Sequence, residues 1–155
     1  MALDLNKRSE VSTKLTQTQV DANWTALEGA INDGDNLYQV IGIACSDETT
    51  DLTTGTAKVT FRMPNAFTLS EVRASVTTAP TGATLTVDIN ESGTTILSTK
   101  LTIDAGEKTS TTAATAAVIS DANLADDAEI TIDIDQVGST VAGAGLKVWL
   151  IGNKV

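Results

Sequence analysis

From residue 37 onward, apolar side chains recur at every second position, in runs broken only by short turn-forming stretches. A period of two, with no helical period between the runs, is the strongest constraint on what this chain can fold into. It predicts strands over 37–46, 56–64, 67–78, 84–91, 94–103, 108–119, 128–137 and 144–152. The pieces between them, SDETTDLTTG, PTG, ESG, DAGE, SDANLADD and GSTVAGAG, have the Gly, Asp and Ser content of turns. A parallel pair needs a crossover of about a dozen residues or more, so connections this short demand antiparallel neighbours. Roughly eight such strands predict a mainly β chain, an antiparallel β-sandwich of jelly-roll type. Composition points the same way: hydrophobic residues make up 41% of the chain but aromatics only 3%, which leaves a core of Val, Ile, Leu and Ala.

Two of these strands carry nearly the same line, LTVDINESGTT at 85–95 and ITIDIDQVGST at 130–140. Alternation sends Leu85, Val87 and Ile89 to one face and Thr86, Asp88 and Asn90 to the other. In the second copy Ile130, Ile132 and Ile134 point inward, and Thr131, Asp133 and Asp135 outward. The glycine that closes each line, Gly93 or Gly138, is expected where the chain bends or reverses with positive φ. The fourth and seventh strands of a jelly roll are neighbours, so the repeat is expected to form two adjoining strands with common inner and outer layers. The second strand borders the seventh, which places Lys58 and Arg62 to face Asp133 and Asp135 as a solvated charge ladder. Asp133-x-Asp135-x-x-Gly138 is a fragment of a calcium loop without the other oxygen ligands or the closing Glu, so no metal is expected.

The first 36 residues have a different texture. Residues 1–14 are polar and aperiodic, the pattern of an extended arm. One short α-helix is then predicted over 15–33, with capping-box spacing at Thr16 and Gln19 and a second start at Thr18 and Asp21. Gly34 supplies the stop signal. Val20, Trp24, Leu27 and Ile31 follow at steps of 4, 3 and 4, a heptad seam. A helix of about 14 residues is marginal alone in water, so this seam must be covered by its own domain or by copies of itself. The terminal position and polar flanks favour copies, which makes these four residues an oligomer interface. The expected organisation is an arm and helix over 1–36 and a sandwich over 37–155.

The formal net charge is −10, with 10 basic against 20 acidic residues, and no cluster of cations suits a phosphate backbone, so nucleic acid is not an expected partner. No apolar run approaches the roughly 20 residues that cross a bilayer, and the start has no secretory h-region. With no His and with Cys45 as its one cysteine, the chain has no imidazole or multi-thiolate metal site and no Ser-His or Cys-His pair. Cys45, inside the apolar run VIGIAC, is expected to be a small core side chain. Asp88, Asp133 and Asp135 are the candidate acid–base carboxylates, but a wet strand face does not raise a carboxyl pKa. The expectation is therefore no enzyme and no cofactor. Near the end, Leu146, Val148 and Leu150 suit the core, which puts Trp149 and Ile151 on the outer face as a partner-facing pair.

KLTQTQVDANWTALEGAIN (14–32) resembles a Leu-Thr-x-x-x-Val-Asp-x-Asn-aromatic-x-x-Leu segment found near the N-terminus of tailed-phage fibre and appendage proteins. The matching positions are Leu15, Thr16, Val20, Asp21, Asn23, Trp24 and Leu27. The block 43–152, containing TTGTAKVTFRMPNAFTLSEVRASVTTAPTG, looks like a β-domain of virion-associated proteins of tailed phages. Together these stretches span most of the chain. The resemblance implies a virion protein, a homotrimer, attached through residues 1–36 to capsid, neck or tail proteins and displaying the sandwich as a short appendage. It brings no catalytic residues. A capsid decoration (cement) protein is the alternative within the structural class. A module that binds a host surface glycan, with Trp149 and Tyr38 as its aromatic platforms, is the alternative outside it.

Overall fold

The computed structural model describes residues 16–32 and 38–155, and the chain divides between Leu37 and Tyr38 into two units. The expected arm 1–14 and the Gly34 stop lie outside the described residues.

The first unit contains helix α1 (Gln17–Asn32). Its start obeys the capping-box rule: the Thr16 N–H donates to Gln19 Oε1 at 2.9 Å, and the Gln19 N–H donates back to Thr16 Oγ1 at 3.3 Å. The alternative start at Thr18 lies inside the helix. Asp21 accepts from Gln17 Nε2 at 2.8 Å, one turn away.

The second unit is a β-sandwich. Its principal strands are β1 (Tyr38–Ala44), β2 (Gly55–Arg62), β3 (Phe67–Ser75) and β4 (Leu85–Glu91). Short segments follow: β5 (Thr94–Thr95), β6 (Leu97–Thr99), β7 (Leu101–Ile103), β8 (Val118–Ile119) and β9 (Asn123–Leu124). Two long strands close the unit, β10 (Glu129–Gln136) and β11 (Lys147–Lys154). One sheet runs β1-β11-β3-β9 and the other β2-β10-β4-β5, with β7 also on β4, and every pairing is antiparallel. With β5–β7 counted as one interrupted strand and β9 as the sixth, this is the strand order of a jelly roll. Burial follows the alternation, with Phe67, Leu85, Ile89, Ile130, Ile132, Ile134, Leu146 and Leu150 all inside. Each such side chain contributes about 1.5–3 kcal/mol.

Two expected strands are broken. The run 94–103 is interrupted at Ile96 and Lys100, and Thr95 Oγ1 bonds both the N–H and the C=O of Leu97 at 3.2 Å. The run 108–119 contains a 3₁₀ turn over Ser110–Thr112, capped by the Thr109 side chain, and pairs only through an isolated bridge of Thr109 with Ser75 at its start and β8 against β6 at its end. Hydroxyl side chains there take backbone bonds that a ladder would otherwise use. The sixth-strand position falls to β9, within the stretch expected to be a turn.

The two closing glycines differ. Ser92 and Gly93, with φ of 48° and 82°, make the two-residue hairpin between β4 and β5. Gly138 has no positive φ; it is required by crowding, because a Cβ there would lie 1.9 Å from the Val141 carbonyl oxygen.

Candidate functional site

Three places were singled out by the sequence: the outward acids of the repeated line, the helix seam, and the outer face around Trp149.

The repeated strands are neighbours, with Ile132 opposite Ile89 and Asp133 opposite Asp88. Their outer layer is not the wet wall expected. Asp88 is 5% exposed and Asn90 8%. The Lys58–Arg62 ladder is also absent: Lys58 Nζ bonds Thr53 Oγ1 at 2.8 Å, and Arg62 pairs with Glu129 at 3.7 Å. The cation that serves the acids is Lys100, which follows β6. Its Nζ lies 2.9 Å from Asp88 Oδ2 and 2.5 Å from Asp135 Oδ2. Those two carboxylates, Asp135 first, push the Lys100 pKa up.

The rest of the network is also satisfied. Asp88 Oδ1 accepts from Thr95 Oγ1 at 2.6 Å and from the Ile89 N–H at 2.9 Å. Asn90 Nδ2 donates to Asp133 Oδ2 at 3.1 Å. Asp133 Oδ1 accepts the N–H of Ala57 at 2.7 Å. Ala57 sits in a bulge of β2, with φ of 48°, where the β2–β10 register jumps between Ile132–Val59 and Ile134–Gly55. These acids therefore bind backbone and lysine. Among the described residues no three His, Cys, Asp or Glu side chains are grouped to hold a metal ion.

Cys45 is buried, and burial pushes its thiol pKa up to about 12, so the sulfur stays protonated near neutrality. Asp47 is the opposite case. The amides of Thr50 and Thr49 hold its carboxyl down to about 2, in an exposed turn between β1 and β2.

On the helix seam, Val20 and Leu27 are half-buried and Trp24 is 59% exposed. Ile31 lies within α1, but its side chain is outside the described residues, as is that of Tyr38.

Trp149 lies on the outer face of the β1-β11-β3 sheet, half-buried, between Gly42 on β1 and Arg73 on β3. Ile151 is buried, so the expected pair presents only the indole. Val40, which faces Ile151 across the strands, is 56% exposed. The Arg73 guanidinium is clamped on Glu71 at 2.7 and 2.9 Å and holds that carboxyl below its usual range. Lys147 pairs with Glu48 at 2.6 Å, and Thr77 also donates to that carboxylate. Together they lower its pKa, Lys147 most. Sequence periodicity found Trp149 and missed Val40, Thr109 and Thr111, which border the same hollow of about 450 Å³. A second hollow, of about 550 Å³, opens where 110–119 departs from β3, between Val72, Leu101 and Ala117.

No family model, no curated protein and no solved structure matches this chain. No helix among the described residues is long and apolar enough to cross a membrane.

Proposed function

We propose that this chain is a non-enzymatic structural protein of a tailed-phage virion, a short homotrimeric appendage held to the particle by residues 1–36 and displaying the jelly roll. One observation carries the assembly half of this reading. A 16-residue capped helix has its seam indole, Trp24, 59% exposed, in a unit distinct from the sandwich. An indole on a heptad seam is stabilised when copies of the helix close around it. The virion half is supported by the resemblance of 14–32 and 43–152 to tailed-phage appendage proteins. Absence of catalysis is supported by the chemistry of the acids: each is spent on Lys100, an amide or a hydroxyl, and the thiol is buried.

The test is incorporation. A protein lacking residues 1–36 should be recovered folded and absent from purified particles, while the full chain is present. If the truncated protein is incorporated normally, attachment runs through the sandwich. A particle reconstruction with the sandwich packed on the shell would then make it a cement protein.

A further inference from the structure

The Trp149 ring is positioned by what its neighbours lack. Gly42 has no side chain, and a Cβ there would sit 3.3 Å from the indole Nε1, so the pyrrole edge of the ring overlies the β1 backbone. Trp149 lines the hollow of about 450 Å³ bounded by Val40, Ser75, Thr109 and Thr111. It also lines a smaller hollow, of about 210 Å³, at Gly42, Ala44 and Lys147. The indole N–H has no hydrogen-bond partner among the described residues. The larger volume falls within the range of roughly 300–1,000 Å³ usual for small-molecule sites.

We propose that this hollow binds a neutral sugar residue, with the sugar's C–H face against Trp149 and its hydroxyls toward Ser75, Thr109 and Thr111. An aromatic surface beside hydroxyls that both donate and accept matches the two-sided character of a pyranose ring. Charge selects against acidic sugars. Arg73 is neutralised by Glu71 and Lys147 by Glu48, in a chain of net charge −10. The lining is mixed, with Val40, Ala74 and Ile151 beside the ring and the Ser75, Thr109 and Thr111 hydroxyls next to the Glu71-paired Arg73, and such a mixture suits the C–H face and the hydroxyls of a sugar together. The inference does not depend on how the chain is anchored.

The full chain would be screened on an array of neutral glucose, galactose, mannose and N-acetylhexosamine oligosaccharides, with sialylated and uronate-bearing counterparts. Any hit would be titrated by calorimetry. The expected result is selective binding to a subset of the neutral sugars. Trp149→Ala should weaken it roughly tenfold or more. Thr111→Val, which removes an exposed hydroxyl bonded to Thr109 Oγ1 but keeps the Thr111 N–H that donates to the same oxygen, should weaken it several-fold and keeps the test valid if Trp149→Ala unfolds. An array without neutral hits, a preference for acidic sugars, or unchanged binding in Thr111→Val would overturn the proposal. So would sugar-independent self-association that Trp149→Ala abolishes, because the face would then belong to a second copy.

Discussion

The β4 and β10 strands begin from nearly one sequence and end in different environments. Their inner layers agree: Leu85, Val87 and Ile89 match Ile130, Ile132 and Ile134, all buried. Their outer layers part. In β4, Asp88 and Asn90 are covered, because the edge of the strand carries β5 and β7 and the side chain of Lys100. In β10, Asp133 is half-buried and Asp135 exposed, the latter at the register shift of β10 against β4 between Ile134 and Gln136. Alternation decides which face a side chain takes; the next strand along decides whether that face is wet.

The largest effects test the shared layer. Ile89→Ala and Ile132→Ala should each cost about 2–5 kcal/mol in urea unfolding. A cost under about 1 kcal/mol at either site would mean that the two inner layers are not equivalent.

The outer layers should separate next. Asp88→Ala removes bonds to Lys100, Thr95 and the Ile89 amide, and bonds to a buried charged group contribute about 1.5–3 kcal/mol each before compensation. A net loss of about 2–3 kcal/mol is expected, against less than about 1 kcal/mol for the exposed Asp135→Ala. Equal losses would erase the contrast.

A smaller effect sharpens the role of Asp133. Ala57 is held at φ 48° while its amide bonds that carboxylate. Ala57→Gly should raise stability by about 0.5 kcal/mol, the relief of a left-handed non-glycine residue less the added freedom of the unfolded chain. A melting temperature lowered by Ala57→Gly would show that the bulge is not strained.

The smallest effect is alkaline. The pKa of Lys100 is raised in the fold by Asp135 and Asp88. Its contribution is therefore complete below the unfolded value, about pH 10.4, and is lost as pH climbs toward the folded value. The melting temperature of the wild type should fall more steeply above pH 10.5 than that of Lys100→Met. Parallel curves would remove Lys100 from the account.

The sequence carried the inner layers, the antiparallel sandwich class and the helix start, because these depend on local alternation, short turns and a three-residue capping box. It did not carry the partner of the acids. Lys100 is 12 residues from Asp88 and 35 from Asp135, and it reaches both only because the expected fifth strand breaks beside it. Continuing the register would set Lys58 opposite Asp133, and the β2 bulge turns it aside, whereas Arg62 lies opposite Glu129, before the bulge. The missing sixth strand has a similar cause. Residues 108–119 alternate acceptably, but Thr109 and its neighbours bond their own backbone.

The proposed assembly rests on Val20, Trp24, Leu27 and Ile31 closing around a threefold axis. Multi-angle light scattering of the full chain at micromolar concentration tests this most directly. The predicted result is a mass of three chains of 16.1 kDa each, about 48 kDa, falling toward one chain in Trp24→Asp while the β-sandwich circular dichroism persists. A wild-type mass of one chain, or a trimer unaffected by Trp24→Asp, would contradict it.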